Sequence, residues 1–416
     1  MPERTQHDVV VIGAGQAGLS VSRHLVRRGI DHVVLERDTI AHEWRDSRWD
    51  SFTLVTPNWQ CVLPGYRYEG SEPDGFMKRE EVYDFVRGYA ATFDAPVREH
   101  VAVTAVTHSP FGGFDIETSA GPLHAGQVVI AVGGYHIPAI PRLAEKLPSS
   151  IRQLHSSEYR SAADLPDGAV MVVGTGQSGA QIAEDLHLAG RKVHLVVGSA
   201  PRVARFYRGR DCVAWLQDMG HYDIPIEDQP GGIGKRENTN HYVTGRDGGR
   251  DIDLRRFASE GMSLYGRLID VSEATMRFAP TLAASLDAAD AVAESIKDSI
   301  DAYIEREGID APREARYRPV WRPEHETTEI VSAAAGITSI VWAVGFRTDY
   351  RWLRVGVFDG EGHPCHNRGV TTATGLYFIG LPWQHTWGSG RFAAVARDAA
   401  YLADRIGALT PSSVRA

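Results

Sequence analysis

The sequence has 416 residues, which is too long for one ordinary domain and predicts two or three domains. Hydrophobic residues make up 43% and charged residues 23%, proportions that are typical of a globular protein. The net charge of -9 at pH 7 argues against binding to duplex nucleic acid, because that function needs a basic face. We therefore expect no nucleic-acid partner.

No feature of the sequence predicts a membrane span, a signal peptide or a metal site. The first apolar run, 9–12, is short and ends in glycines, so we interpret it as a buried strand. No apolar stretch is long enough to cross a bilayer. Cys61, Cys212 and Cys365 form no CxxC pair, which fits a reducing compartment and excludes a vicinal dithiol centre. We expect a cytoplasmic protein with no membrane partner and no metal.

Strand and helix patterns alternate along the chain and predict an α/β fold. A long ordered loop region is predicted over 44–75, an insertion without periodicity over 202–280, and a frayed tail over 407–416. The predicted regular elements are strand 9–12, helix 16–28, strand 33–36, helix 79–93, strands 101–107, 113–118 and 128–132, strand 170–173, helix 177–189, strand 193–197, helix 283–307, strands 337–344 and 376–379, and helix 391–406.

A glycine-rich segment joins the first predicted strand to the first predicted helix. Its glycines permit a tight turn, allow a diphosphate to approach the backbone, and let the helix pack closely on the strand. The free N–H groups and the dipole at the helix N-terminus attract phosphate. Glu36 ends the next strand and can accept hydrogen bonds from both ribose hydroxyls. We predict a dinucleotide site at Gly13, Gly15, Gln16, Ala17, Gly18 and Glu36.

The same glycine pattern recurs after the predicted strand 170–173, at Gly174, Gly176, Gln177, Ser178 and Gly179. The position equivalent to the acidic residue of the first site is Val197, so no carboxylate is available there for a 2′-hydroxyl. A carboxylate repels a 2′-phosphate, whereas Ser and Arg bind it, so we predict NADPH rather than NADH. The predicted phosphate contacts are Ser199 and Arg202, followed by Arg205, Arg208 and Arg210, for which a solvated surface loop is the alternative.

Two dinucleotide sites on one chain imply that hydride passes from a nicotinamide to a second redox carrier, and a dinucleotide carrier is FAD. We predict two Rossmann-type dinucleotide-binding domains in the two-domain plan of glutathione reductase. The FAD-binding domain comprises 1–166 and 336–416 in this prediction. The NADPH-binding domain, 167–335, is inserted between these parts and carries a substrate-covering region at about 203–280.

These motifs resemble the class B flavoprotein monooxygenases, most closely the bacterial CzcO-like flavoproteins and the plant YUCCA-type enzymes. The resemblance runs from about Val9 to Ile406. In such enzymes two linker motifs cross between the domains and the last strand lies beside the flavin. Besides the glycine loops, the resemblance depends on Trp44-Arg45, Leu54-Val55-Thr56-Pro57, the linkers Ala131-Val132-Gly133 and Ala343-Val344-Gly345-Phe346, and Gly375-Leu376-Tyr377-Phe378-Ile379-Gly380.

The resemblance also implies further site residues. Asn58, Trp59 and Gln60 correspond to polar groups over the flavin and are the catalytic candidates, although core packing is an equal alternative for tryptophan. The residues that it adds to the predicted cofactor-binding set are Arg37, Trp44, Val103, Ala131, Ala343, Gly345, Trp383 and Gly390.

One motif departs from the family. The family often carries FxGxxxHxxx(Y/F) before the second glycine loop, and here His155 and Tyr159 keep the HxxxY half. Ser149 and Ile151 stand at the Phe and Gly positions. We therefore interpret His155 as a structural or linker-positioning residue and not as a proton carrier.

The resemblance implies an FAD-dependent monooxygenase that consumes NADPH and O2. In such enzymes a flavin C4a-(hydro)peroxide oxygenates a nucleophilic N or S, or inserts oxygen beside a carbonyl carbon. An NADPH oxidase that releases H2O2, or a reductase of the same fold, stays open as the alternative, whereas a disulfide reductase needs a cysteine pair that this sequence lacks. The expected partners are a small-molecule substrate and O2. The oligomeric state is left open, with a homodimer as the candidate.

Overall fold

A computed structural model describes residues 5–237 and 240–410. The α-helices within these residues are α1 (Gln16–Arg28), α2 (His42–Asp46), α3 (Arg79–Ala91), α4 (Gln177–Leu188), α5 (Cys212–Asp218), α6 (Leu254–Ser259), α7 (Leu282–Glu307), α8 (Ser332–Ala335) and α9 (Phe392–Leu409).

The strands within the described residues are β1 (Thr5–Ile12), β2 (His32–Leu35), β3 (Val62–Leu63), β4 (Tyr66–Arg67), β5 (Val97–Arg98), β6 (Val103–His108), β7 (Phe114–Thr118), β8 (Leu123–Ile130), β9 (Ile137–Pro138), β10 (Arg152–His155), β11 (Ala169–Val173), β12 (Val193–Val196), β13 (Phe206–Tyr207), β14 (Arg210–Asp211), β15 (Ser263–Tyr265), β16 (Leu268–Val271), β17 (Thr275–Phe278), β18 (Glu329–Val331), β19 (Ile337–Trp342), β20 (Phe346–Arg347), β21 (His366–Asn367), β22 (Val370–Thr371) and β23 (Leu376–Phe378).

The first sheet has nine strands, and its parallel part has the order β23-β8-β1-β2-β5. The antiparallel strands β21 and β22 extend one edge, and the hairpin of β6 and β7 joins β8. The central strand β1 is buried at Val9–Ile12, because helices cover both faces of a parallel sheet. In doubly wound folds a nucleotide binds outside the carboxyl ends of the parallel strands, which for β1 is the end at Ile12.

The second sheet has five parallel strands in the order β10-β19-β11-β12-β15. Two parallel sheets of this kind confirm the predicted α/β fold with two dinucleotide-binding units. The domain boundaries need correction, because β10 and β19 pair in this sheet although both lie outside the predicted range 167–335. Backbone pairing between distant segments, which periodicity does not reveal, decides where the second unit begins and ends.

The predicted insertion is shorter and more regular than expected. Within 202–280, β15 extends the second sheet, and β16 and β17 form a small antiparallel sheet with β18. These strands have only three or four residues each, too few for a clear periodic signal. What remains between β12 and β15, residues 203–259, is called the inserted segment below. The predicted frayed tail is helical as far as Leu409, and 411–416 lie outside the described residues.

A single hydrophobic cluster is shared by the two units. It includes Val9 and Val11 of the first sheet and Val170 and Val172 of the second. Two antiparallel linker strands, β9 and β20, also pair with each other between the sheets. No helix among the described residues is long and apolar enough to span a membrane.

Candidate functional site

The first glycine loop closes tightly against the end of β8. Gly13 has a φ of +108°, and a Cβ placed there would lie 2.6 Å from the carbonyl oxygen of Ala131. A Cβ at Gly18 would lie 2.0 Å from the carbonyl oxygen of Gly13. At Gly15, by contrast, a Cβ would meet no atom of the described residues within 4 Å. Of these three glycines, only Gly15 has open space beside it. In dinucleotide-binding loops this is the glycine that the diphosphate approaches, at the N-terminus of the helix.

Glu36 directly follows β2 and contacts the first glycine loop. Its carboxylate accepts hydrogen bonds from the backbone N–H groups of Ala14, at 2.8 Å, and Asp38, at 3.0 Å. A carboxylate has about four lone-pair sites, so about two remain for ribose hydroxyls. Arg37 pairs with Asp38 at 2.9 Å in an exposed position.

Gln16 connects two other predicted cofactor-binding residues, Gly390 and Trp44. Its amide nitrogen donates to the carbonyl oxygen of Gly390 at 3.1 Å, and its amide oxygen accepts from the indole N–H of Trp44 at 3.0 Å. The Trp44 ring stacks on Phe392, the first residue of α9, with 5.6 Å between ring centroids. The N-termini of α1 and α9 therefore converge on the same space.

The second glycine loop repeats the packing of the first. Gly174 has a φ of +105°, and its Cβ would lie 2.5 Å from the carbonyl oxygen of Ala343. A Cβ at Gly179 would lie 2.1 Å from the carbonyl oxygen of Gly174. The Thr175 hydroxyl, which the sequence analysis did not single out, accepts a hydrogen bond from Gly198 N–H at 3.0 Å. The loop before α4 therefore has the same close packing as the loop before α1.

Residues 199 and 202 have different surroundings. Ser199 is exposed beyond the end of β12 and is free to contact a phosphate. The Arg202 side chain is only 5% exposed, lies 3.0 Å from Asp290, and stacks over the Tyr317 ring at 3.9 Å. This placement does not support a phosphate role for Arg202, because its charge is already compensated inside the protein.

The other three arginines of this region are also engaged internally. Arg205 is 1% exposed and pairs with Asp211 at 2.6 Å. Arg208 pairs with Asp301 and Arg210 with Asp218, each at 2.6 Å. The alternative of a solvated loop is therefore wrong for Arg205. The pair between Arg208 and Asp301 attaches the inserted segment to α7, and the other two ion pairs join residues within the inserted segment.

The three catalytic candidates form a 3-10 turn, Asn58–Gln60. The Asn58 amide is 3% exposed, donates to the carbonyl oxygen of Glu72 and accepts from Met77 N–H, each at 2.9 Å. Gln60 is 5% exposed and its amide donates to Gln217 of α5 at 3.1 Å. Trp59 is half-buried. Both ends of the Asn58 amide are thus used in local structure, whereas Gln60 joins the long loop region to the inserted segment.

We expect Asn58→Ala to reduce stability and not chemistry. Losing two buried hydrogen bonds should lower the free energy of unfolding by about 1–3 kcal/mol. Thermal unfolding and flavin content measure these effects, and Asn367→Ala, at an exposed position, is the matched control. A variant with unchanged stability and abolished turnover would contradict this structural role and restore the catalytic prediction.

The linkers between the sheets are held by His155. This side chain is fully buried, and its Nε2 lies 2.9 Å from the carbonyl oxygen of Gly345. Its ring packs edge-on against Phe346 at 4.7 Å. Burial lowers the pKa of His155, which favours the neutral imidazole. These contacts fit a linker-positioning residue.

Val103 and Trp383, which were also predicted to bind a cofactor, lie in different parts of the fold. Val103 lies in β6 of the hairpin that joins β8, and it pairs with Thr118. Trp383 is 7% exposed, follows β23, and has a φ of +53°, an uncommon value for a non-glycine residue. Its carbonyl oxygen accepts from Arg236 of the inserted segment at 3.4 Å.

The inserted segment contacts both nucleotide units. Gln177, at the N-terminus of α4, donates to the carbonyl oxygen of Val243 at 2.6 Å. Arg391, just before α9, donates to the Asn240 side chain at 2.9 Å. Arg391 is not among the predicted site residues, although it directly follows the predicted Gly390. A basic residue between a glycine loop and a helix could have signalled it.

Comparison with known proteins shows the relatives of this chain. The sequence profile of the family described as pyridine nucleotide-disulphide oxidoreductase matches residues 10–217. The chain is 30% identical over 402 residues to the uncharacterized oxidoreductase CzcO-like of Geobacillus kaustophilus (strain HTA426), covering 96% of this chain and 98% of that protein. It is 32% identical over 201 residues to indole-3-pyruvate monooxygenase YUCCA1 of Oryza sativa subsp. japonica, covering 47% of this chain and 48% of that protein.

Among solved structures, the flavin-containing monooxygenase from Stenotrophomonas maltophilia superposes with a TM-score of 0.68 at 19% identity. The match covers 97% of this chain and 99% of that chain, so the two proteins share the whole fold.

Proposed function

Because the chain belongs to the pyridine nucleotide-disulphide oxidoreductase family, and within it to the class B flavoprotein monooxygenases, we propose that it oxygenates a small organic substrate with NADPH and O2. It is an enzyme, and its coenzymes are FAD and NADPH. In the balanced reaction, NADPH, H⁺, O2 and substrate give NADP⁺, water and the substrate with one added oxygen atom. The oxygen is added to a nucleophilic N or S, or is inserted beside a carbonyl carbon.

The observation that carries this proposal is the duplicated nucleotide cradle. Gly13 with Ala131, and Gly174 with Ala343, make the same close contact between loop and neighbouring strand. The inserted segment bridges the two cradles through Gln177 and Arg391. We therefore expect this chain to hold both dinucleotides, with the inserted segment in contact with both cradles.

The first cradle fits FAD. The open space above Gly15 admits a diphosphate, and the N-terminus of α1 supplies N–H donors and a favourable dipole. The free lone pairs of Glu36 would bind the adenosine ribose. When bound, FAD takes two electrons from NADPH and passes them to O2.

The second cradle fits NADPH. No carboxylate stands at Val197, which is buried, and the exposed Ser199 would donate to the 2′-phosphate. The N-terminus of α4 would bind the diphosphate. The inserted segment would keep water away from the reacting atoms, and the exclusion of water strengthens the electrostatic interactions there.

The start of α9 would stabilise negative charge on a reduced flavin ring. Gly390 closes on the carbonyl oxygen of Gly380, since an added Cβ would lie 2.6 Å from it. The helix N-terminus that follows is joined to α1 through Gln16. A helix dipole contributes about 0.3–2 kcal/mol to the stability of a nearby negative charge.

Disulfide reduction is not supported, although the family name includes it. All three cysteines are free, and Cys61 and Cys212 are buried while Cys365 is exposed. Burial raises the pKa of Cys61 and of Cys212 to about 12, so neither is a thiolate at neutral pH.

We expect the purified holoenzyme to couple NADPH oxidation to product formation. With ¹⁸O2 and a panel of amines, sulfides and ketones, the product of an accepted substrate should carry one ¹⁸O atom for each NADPH consumed. Mass spectrometry of the product and an H2O2 assay measure the two outcomes. Stoichiometric H2O2 without an oxygenated product from any compound would contradict the proposal and favour an NADPH oxidase.

A further inference from the structure

Residues 242–244 of the inserted segment lie directly on the second nucleotide unit. All three are buried, with at most 6% of each residue exposed. Tyr242 N–H donates to the carbonyl oxygen of Pro201, beyond the end of β12, at 3.0 Å. Two residues further along, Arg246 pairs with Asp185 of α4 at 2.8 Å. The chain therefore crosses from the end of β12 to α4, the strand and helix that flank a nucleotide in units of this kind.

One side chain holds both backbone groups of Val243. The Gln177 amide nitrogen donates to the carbonyl oxygen of Val243 at 2.6 Å, and its amide oxygen accepts from Val243 N–H at 3.3 Å. Within the described parts of the chain, the backbone of Val243 has no other hydrogen-bond partner. Because a buried backbone group without a partner is costly, the placement of Val243 depends on Gln177.

The first glycine loop uses a glutamine in the same way. Gln16 occupies in that loop the position that Gln177 occupies in the second, directly after the middle glycine. Its amide also uses both ends, donating to Gly390 and accepting from Trp44. In both loops the glutamine therefore fastens a segment that is distant in the sequence beside the start of the helix. This repetition favours a positioning role for Gln177 over direct contact with a phosphate.

We propose that Gln177 is a positioning residue that couples nucleotide binding at the second glycine loop to the placement of 242–244. Pro201 lies beyond β12 and Asp185 about two turns along α4, so Gln177 is the contact beside the loop glycines. A diphosphate at the N-terminus of α4 would restrict the first turn of this helix and, with it, the Gln177 side chain. The coupling is reciprocal, so attachment of 242–244 also favours nucleotide binding.

The coupling matters for the reaction because the same stretch of chain reaches the other nucleotide unit. Asn240 accepts a hydrogen bond from Arg391, just before α9, at 2.9 Å. This consequence rests on the proposed function, in which the inserted segment keeps water from the reacting atoms. When 242–244 detach, NADPH, H⁺ and O2 give NADP⁺ and H2O2 without an oxygenated product.

Hydrogen–deuterium exchange of the FAD holoenzyme tests the inference without turnover. We expect NADP⁺ to slow exchange in peptides that cover 241–245 by about threefold or more in the wild type. Gln177→Met should speed exchange there by about tenfold or more and remove the effect of NADP⁺, because two hydrogen bonds are lost. Unchanged exchange in the variant would overturn the inference. Slowing by NADP⁺ that persists in the variant would overturn the coupling, since the nucleotide would then shield 241–245 directly.

Gln153→Met is the matched control. Gln153 lies in β10, and its amide also makes one bond of each kind, donating to the carbonyl oxygen of Ala144 at 3.1 Å and accepting from the Trp342 indole at 3.0 Å. This variant should leave exchange at 241–245 unchanged. Gln177→Asn, which is shorter by one methylene, should lose the same two bonds and provides the test if Gln177→Met does not fold.

Coenzyme affinity and product yield separate a positioning residue from a coenzyme ligand. For Gln177→Met we expect the Kd of NADP⁺ to rise by only about threefold, the size of the coupling. With a substrate that the wild type accepts, the H2O2 released per NADPH should rise by about threefold or more. A Kd raised by about tenfold or more with unchanged exchange at 241–245 would make Gln177 a ligand of the coenzyme and overturn the inference.

The inference and the proposed function fail separately. If the wild type oxygenates no compound, but Gln177→Met frees 241–245 and abolishes the effect of NADP⁺, the coupling stands and the monooxygenase proposal fails. If the wild type oxygenates a substrate, but Gln177→Met neither speeds exchange at 241–245 nor increases H2O2 release, the proposed function stands and the coupling is refuted.

Discussion

Replacing Gly15 by valine should give a folded protein that purifies without flavin. We expect the flavin-to-protein ratio to fall at least about tenfold, which corresponds to a loss of about 1.4 kcal/mol or more in binding free energy. The reason is steric, because a Cβ at this position meets no atom of the described residues within 4 Å, so we expect a side chain there to collide with the diphosphate of the coenzyme.

The structure separates this effect from damage to the fold. A Cβ at Gly15 meets no protein atom within 4 Å, and the backbone there is extended, with φ -79° and ψ -179°. Valine adopts such a conformation without strain. A side chain at Gly13 or Gly18 would instead collide with backbone carbonyl oxygens at 2.6 Å and 2.0 Å. Those substitutions should reduce folding as well as flavin binding.

Visible absorbance of the purified protein measures the flavin content, and thermal unfolding of flavin-free samples compares the stability of the variants. Gly356→Val is a suitable control, since a Cβ at Gly356 also meets no atom within 4 Å and lies outside both loops. A yellow, fully loaded Gly15→Val protein would contradict the assignment of FAD to the first loop.

The two nucleotide units could be predicted from the sequence because their signals are local. A buried strand, a glycine turn and an amphipathic helix follow one another within about thirty residues, and each has its own steric or periodic cause. The helix predicted at 16–28 coincides with α1, and that predicted at 177–189 differs from α4 by one residue.

The roles of individual polar residues could not be predicted in the same way. The partners of Arg202 and Arg208 are Asp290 and Asp301, which lie on α7 more than eighty residues further along the chain. An arginine that follows a nucleotide-binding strand has the same local sequence whether it faces a phosphate or an internal carboxylate. Only tertiary packing distinguishes the two situations.

The short strands show the same limit. β10 and β15 have four and three residues, and each forms one edge of the second sheet. Such lengths give almost no periodic signal, so their assignment depends on pairing with β19 and β12. For this reason the predicted insertion extends past β15, and the predicted second domain begins only after β10.

Arg202→Met should leave the preference for NADPH over NADH nearly unchanged. The methionine keeps much of the apolar contact with Tyr317, and the lost charge is one that already faces Asp290 at 3.0 Å. Steady-state KM values for both coenzymes measure the preference. An increase of about tenfold or more in the NADPH KM alone would return the phosphate role to Arg202.

Asp290→Ala should be the more damaging substitution at this ion pair. Asp290 lies 3.0 Å from Arg202 and 2.8 Å from Arg255, whose side chains are 5% and 2% exposed. Breaking a buried pair from one side costs about 3–5 kcal/mol, and we expect the lower end because Asp287 still pairs with Arg255 at 2.5 Å. Denaturant unfolding of the purified variant measures this loss.

Ser199→Asp completes the comparison by placing a negative charge at the exposed end of β12. If Ser199 contacts the 2′-phosphate, repulsion should raise the NADPH KM by about tenfold or more and leave the NADH KM unchanged. Stability should stay close to that of the wild type, since the side chain is exposed. Equal effects on both coenzymes would place the 2′-phosphate elsewhere on the second unit, and the Arg202 and Ser199 variants together decide which surface binds it.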